Sequence, residues 1–513
     1  MANMLIRTSM CRYRIATILR VILFFGIPCL YIFVAKNQKI DNVVTHSTRR
    51  ILAILEQNCT PAAILEFPQD GLTRYQRQHG FILIHCILAI YCFFFLGSVC
   101  GQYFVPAIEL ICERLNLASD VAGATFMAAA SSSPELFINC VGTFVTKGDI
   151  GVGAIVGSAV FNVLAVPACC AVFAGRVIEL DWWSVSRDCM MYAIAVVALI
   201  LTLLDDKIYW HEALLLVLMY TLYILAMVFN GRLGTFARNG CCVFKKPKMY
   251  TENTPLLLKD KSHPFDEAQR MIQIMQQSDL ELEMEMTRRH NSIGSESSNN
   301  SSLWSWPDEK KSFWMKLYWM ITWPISLILW LTIPDCRRHH NLYPLTFIIC
   351  IIWIGGVSYL VAWIITILGD SLNLPDSITG LTILAAGTSL PEAVSSVLVT
   401  KQGHGTMGIS NSIGSNTFDI LLCLGLPWLV KSIFYPSKAG NHWVTINSSG
   451  LSYNAISLLS TLFALYGCLL LNKFRLDWKI GVICALIYVG FLTLAALIEL
   501  NVFFMVNLAV CPH

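Results

Sequence analysis

Charged residues are scarce in this chain. Only 13% of its 513 residues are Asp, Glu, Lys or Arg, against 56% hydrophobic residues and a mean hydropathy of +0.60. That balance excludes a water-facing surface over most of the length and marks a polytopic membrane protein. No basic tract is interleaved with aromatics, so nucleic acid is excluded as a partner. Catalytic signatures are missing as well. His211-Glu212 lacks the second histidine of a zinc-protease helix, no Walker lysine motif or GxSxG elbow occurs, and Gly151 and Gly153 lie between membrane spans rather than in a nucleotide loop. An enzyme is not expected. Cysteine is plentiful at 19 residues, but most sit in apolar runs where the thiol behaves as a small hydrophobe. The pairs Cys169-Cys170 and Cys241-Cys242 lack the spacing of a four-ligand zinc site, so no resident cofactor is expected.

What is present is a series of apolar runs. Arg12, Arg14 and Arg20 precede one that extends to about Ala35, read as a signal sequence or signal anchor over residues 1–35. Residues 36–80 are then expected outside, where Asn58-Cys59-Thr60 makes Asn58 a glycosylation acceptor. A disulfide between Cys59 and Cys511, both expected outside, is one option. Spans read at 81–104, 120–146, 150–175, 188–204 and 210–229 form a first half over 81–229. Five crossings from outside end inside, and Arg232, Arg238, Lys245, Lys246 and Lys248 give the following loop, 230–313, a cytoplasmic basic flank. Its Ser/Asn-rich stretch NSIGSESSNNSS reads as regulatory linker. Glu252, Leu256 and Leu257 there have the spacing of an acidic dileucine sorting signal, which sets endosomal membranes beside the plasma membrane as a destination.

Spans at 346–369, 376–400, 407–432, 451–471 and 478–501 form a second half over 346–501, before a tail at 502–513. Lys473, Arg475 and Lys479 mark the last turn as cytoplasmic. Between the halves, residues 314–345 carry an extra apolar piece, 314–333, interrupted by Pro324. If it lies along or dips into the surface, the halves enter the membrane from opposite sides and that basic turn stays inside. Asn447 then faces outside as a second acceptor. The expected fold is an all-α membrane protein with ten core transmembrane helices in two inverted five-helix repeats, plus an N-terminal signal or anchor helix and one extra apolar segment.

The halves carry a duplicated motif. Residues 123–162 align without a gap on 380–419, with identical residues at Gly123, Thr125, Ala128, Ala129, Ser132, Pro134, Glu135, Thr143, Gly148, Gly151, Gly157, Ser158 and Phe161 and their counterparts 257 positions later. A repeated apolar unit broken by Gly and Pro around a polar centre points to a secondary transporter's binding site. Glu135 lies 15 residues after Asp120 and 14 before Asp149, and Glu392 lies 16 after Asp376 and 11 before Gly403, so both sit near the bilayer midplane. Asn162 and Asp419 fall near the middle of the next spans. A carboxylate at that depth costs about 2.5–3.5 kcal/mol on insertion scales, so several together imply a compensating cation or a wet cavity. Hard cations such as Ca2+ want six to eight oxygens. Thr125, Ser131 and Ser132 supply them around Glu135, Thr382, Thr388 and Ser389 around Glu392, and Ser158, Ser415 and Asn416 ahead of Asn162 and Asp419. Pro134 and Pro391 free backbone carbonyls for the same use. Because Asn162 is neutral where Asp419 is charged, the pocket holds three carboxylates: two to balance Ca2+, one for a monovalent ion.

At these residues the chain resembles the potassium-dependent sodium/calcium exchangers of the cation/calcium exchanger superfamily. DVAGATFMAAASSSPEL, TKGDIGVGAIVGSAVFN, LTILAAGTSLPE and SNSIGSNTFDILLCLGLPW carry the resemblance, which covers most of residues 58–500 outside the loop. It implies export of Ca2+ with K+ driven by Na+ inflow through alternating access. It also implies that Glu135 is the first-repeat ion ligand and that Asp419 is the acid tied to K+ dependence. Two residues depart from the family pattern. Glu392 stands where the family usually has Asp, and Gly101 and Gln102 follow Cys100 where acidic residues are common. These departures keep K+-independent Na+/Ca2+ exchange and proton-coupled Ca2+ exchange as alternatives.

Overall fold

The computed structural model describes residues 62–115, 128–146, 149–173, 175, 177–205, 207–228, 313–337, 340–401, 405–435, 443–446, 448 and 450–503. The expected signal segment, the central loop, Asn58, Thr125, Glu252, Leu256, Leu257, Asn447, Cys59 and Cys511 lie outside the described residues. Two compact units result, one of Met1–Arg238 with Leu329–His513 and one of Asn239–Ile328.

Among the described residues, nine helices are long and apolar enough to cross a membrane. They are α1 (Arg74–Arg114), α3 (Ile150–Phe173), α4 (Trp182–Leu203), α5 (Trp210–Val228), α7 (Tyr343–Leu372), α8 (Asp376–Lys401), α9 (Gly408–Phe434), α10 (Gly450–Leu471) and α11 (Trp478–Glu499). The second span of the first half is represented by α2 (Ser133–Val141), preceded by the turn Ala128–Ser131. Helix α6 (Phe313–Thr332) is the extra apolar segment, and it runs helically through Pro324 rather than breaking there. The first span is longer than its hydropathy suggests, because Glu109, Glu113 and Arg114 lower the hydropathy of a stretch that stays helical to Arg114. It also begins earlier, at Arg74, with a kink at Gly80, whose φ of +114° is a conformation glycine adopts without strain.

Two short ladders fix the relative orientation of the halves. Strand β1 (Ile178–Glu179), in the connection from α3 to α4, pairs antiparallel with β4 (Arg475–Leu476), in the connection from α10 to α11. Strand β2 (Lys207–Tyr209), between α4 and α5, pairs with β3 (Trp443–Thr445), between α9 and α10. The turn after the third span of one half therefore shares a face with the turn after the fourth span of the other, and the reverse holds at the opposite end. Parallel halves would pair like with like. The repeats are inverted.

Glycine decides how close the halves come. A Cβ on Gly157 of α3 would collide with the Leu381 carbonyl of α8, one on Gly153 would stand 2.8 Å from the Ser377 carbonyl, and one on Gly380 would stand 2.6 Å from the Ile150 carbonyl. Backbone thus meets backbone between α3 and α8, as small residues permit in membrane interfaces. At the end of the bundle where α1 begins, buried Arg77 bridges Asp70 (3.0 Å) and Asp370 (2.9 Å), tying the start of α1 to the end of α7. His85 Nε2 stands 3.2 Å from the other Asp70 oxygen.

Candidate functional site

The repeated motif folds in two different ways. In the first half the helix breaks at Ser132 (φ −94°, ψ 11°), and α2 restarts with Pro134 and Glu135 in its first turn. In the second half α8 stays helical through Pro391, so the expected loosening there does not occur at the proline. The widened turn lies earlier instead, as a π-helical segment at Gly380–Leu384. The following spans are alike. π-Helical segments begin at Phe161 in α3 and at Asp419 in α9, so Asn162 and Asp419 are both presented from a widened turn, a local form often found at functional positions.

These elements bring Glu135, Asn162, Glu392 and Asp419 into one buried region. Glu135 is 2% exposed, Glu392 5%, and Asn162 and Asp419 1% each. Glu135 and Glu392 repel each other electrostatically, and Asp419 feels both. Asn162 donates its amide to Glu392 Oε2 at 2.7 Å and to Asn416 Oδ1 at 3.1 Å. Ser415 Oγ donates to the same Glu392 oxygen at 3.4 Å, and Ser412 Oγ holds the Asn162 carbonyl at 2.8 Å.

The unpaired oxygens are the informative part. Both carboxylate oxygens of Glu135, Oε1 of Glu392, Oδ1 of Asn162 and the hydroxyls of Ser132 and Ser389 are buried without a hydrogen-bond partner. Ser132 and Ser389 are repeat counterparts, as are Glu135 and Glu392. Ser131 and Ser132 lie within electrostatic reach of Glu392, and Ser132 within reach of Asp419, yet the Ser132 hydroxyl closes no hydrogen bond. Buried polar atoms are normally paired, and a buried unpaired charge is costly. An apolar core has no use for this arrangement; a cation that supplies the missing positive charge does. Among the described residues no group of three or more His, Cys, Asp and Glu side chains closes into a compact metal cluster. Hydroxyl, amide and carbonyl oxygens must therefore complete any shell.

The remaining candidates are divided. Thr388 lies beside Glu135 rather than beside Glu392 alone, and its hydroxyl donates to the Leu384 and Ala385 carbonyls. Ser131, Ser158 and Thr382 donate to carbonyls of their own helices, at Ala128, Ile155 and Ile378. Their oxygens keep lone pairs but not a free proton.

Three residues enter the site that sequence reasoning did not single out. Asn139, one turn beyond Glu135, donates to the Cys423 carbonyl at 2.7 Å and pins the π-helical turn that carries Asp419. An amide spaced four residues from an acid in an apolar run was a legible signal. Cys423 Sγ lies 3.7 Å from Asp419 Oδ1. Tyr192 on α4 is fully buried, interacts electrostatically with Asp419, and its hydroxyl has no partner. Nothing in its sequence neighbourhood marks it, because the packing of α4 alone brings it there.

Comparison with known proteins identifies the family. The family described as sodium/calcium exchanger protein matches residues 85–229 and 342–497. The chain is 37% identical to sodium/potassium/calcium exchanger 4 of Mus musculus, with 89% of this chain and 88% of that protein covered. It is 37% identical to sodium/potassium/calcium exchanger 5 of Homo sapiens, covering 86% and 89%. Sodium/potassium/calcium exchanger 3 of Homo sapiens is 35% identical, with 89% and 86% covered.

Proposed function

The chain belongs to the sodium/calcium exchanger family, and from that premise we propose that it is a secondary antiporter that uses the inward Na+ gradient to export Ca2+ together with K+. The observation that carries this reading is the pair Glu135 and Glu392, one from each inverted half, both buried and both holding carboxylate oxygens without a partner. Two carboxylates balance one Ca2+, and the third, Asp419, balances a K+. Na+ replaces both ions on the same oxygens at a different charge balance. Occupancy by one set then excludes the other, which is what coupling requires. Inverted halves give the geometric basis for alternating access, because the same polar centre is reached from one face through one half and from the opposite face through the other.

The Asn162 amide serves this reading by holding one Glu392 oxygen while the other stays open. In this reading the apolar segment 314–333 lies along or dips into the membrane surface, as opposed halves joined by a cytoplasmic loop call for. The basic turn at Lys473 and Arg475 sets the β1–β4 ladder at the cytoplasmic face, and the plasma membrane is the proposed residence.

Ca2+ flux in sealed vesicles, with Na+, K+ and pH gradients varied independently, tests the proposal. Na+-driven, K+-dependent uptake that Glu135→Gln abolishes at unchanged expression is the expected result. Uptake driven by a pH gradient in place of Na+ overturns it in favour of proton coupling, the reading that the longer Glu392 side chain favours.

A further inference from the structure

We propose that the ion cavity also captures soft, thiophilic divalent cations such as Cd2+, with Cys423 as the donor that singles them out. The inference rests on the reading of this cavity as a divalent-cation seat and adds a second class of ligand to it. Cys423 is fully buried, with Sγ 3.7 Å from Asp419 Oδ1 and 3.8 Å from the Ser132 carbonyl. Its position is held from outside its own helix, since Asn139 takes the Cys423 carbonyl and fixes the widened turn that carries both Asp419 and Cys423. Independently of the thiol, the same region contains unpartnered buried oxygens aimed at a missing positive charge: Ser132 Oγ and both oxygens of Glu135, the latter in electrostatic contact with Cys423.

Hard and soft ions see different sites here. Ca2+ is bound by oxygen and gains little from sulfur, whereas thiolate ligands select softer metals. Cd2+ matches Ca2+ closely in size, so it follows the same route inward. Once there it exchanges the thiol proton, lost to water, for a metal–sulfur bond. Asp419, the Ser132 carbonyl and water fill the remaining positions. Na+ has no affinity for that sulfur, so the competition that releases Ca2+ does not release Cd2+. The expected outcome is block rather than transport. Because Asp419 and Cys423 form a pair and not a preassembled cluster of three, the block is graded and reversible by chelation.

The test is Na+-driven Ca2+ uptake into vesicles containing the full chain, titrated with Cd2+ and in parallel with La3+, a hard competitor. Each variant is normalised to its own uninhibited flux. Cys423→Ser is expected to raise the half-inhibitory Cd2+ concentration by about tenfold or more, since loss of even an outer metal partner costs about 10–100-fold in affinity, while leaving the La3+ value unchanged. An equal Cd2+ value in the two proteins overturns the proposal. If the wild type shows no Na+-driven flux, the exchanger reading fails separately. If either protein lacks flux, Cd2+ titrated into the purified protein decides through its ultraviolet thiolate-to-metal absorption. A weaker band in Cys423→Ser supports the site, and identical spectra overturn it.

Discussion

Asn162 reaches across the pseudo-symmetry axis to Glu392, placing an amide of the first half 2.7 Å from a carboxylate oxygen of the second. Its repeat counterpart Asp419 has no such donor to offer Glu135, and both Glu135 oxygens are unpaired. The two half-sites are related by duplication but differ in charge. Replacing Asn162 with Asp sets a carboxylate against Glu392, repels it, and makes the cavity four-acid. Na+-dependent Ca2+ uptake is expected to fall by about tenfold or more, the scale set by leaving a charged group buried without its partner. Uptake at the wild-type rate removes the amide's role.

Asp419→Asn takes the cavity from three carboxylates to two, still enough for one Ca2+. Uptake of Ca2+ is expected to persist with a weakened dependence on external K+, read from the K+ activation curve at fixed Na+ gradient. A K+ requirement of unchanged steepness contradicts the assignment of Asp419.

The β2–β3 ladder sets Ile208 opposite Val444. Cysteines at these two positions are expected to form a disulfide under mild oxidation, holding the halves together after proteolysis at a site engineered into the loop at 230–313. Reductant separates them. Ready cross-linking of β1 with β3 instead denotes parallel halves.

Arg77 separates Asp70 from Asp370, and all three side chains are buried. Arg77→Ala removes the guanidinium that joins the two acids, leaving Asp370 to partly exposed Arg74 at 3.5 Å and Asp70 to His85 at 3.2 Å, at a cost of up to about 3–5 kcal/mol for a broken buried pair. A lowered unfolding temperature in detergent is the expected reading, with Arg77→Lys intermediate because a single ammonium does not span both acids as the guanidinium does. A variant as stable as wild type shows that water already screens the pair.

Much of this was legible in the chain. The 257-residue repeat, the burial of Glu135 and Glu392, and the neutral Asn162 at the repeat position of Asp419 follow from spacing in an apolar run, because a membrane restricts the chain to helices that satisfy their own backbone. Element limits were less legible. Hydropathy ends the first span near 104, yet the helix continues to Arg114, since helical hydrogen bonding does not require apolar side chains. Proline misled twice: Pro324 and Pro391 both lie inside continuous helices, where surrounding helical turns absorb the lost donor.

The sequence by itself determined the class of molecule and named the candidate acids of the site, because a carboxylate buried in a lipid-spanning helix is costly enough to need a cation, a wet cavity or dedicated donors. Only the tertiary structure decided which oxygens stay open. Asn162 closes on Glu392 rather than Glu135, Asn139 pins the turn of Asp419, and Cys423 and Tyr192 join the site through the packing of helices far apart in the chain. Those contacts depend on the inversion of the halves and on glycine-permitted approach of α3 to α8, and both are properties of three-dimensional packing that a linear pattern of residues does not encode.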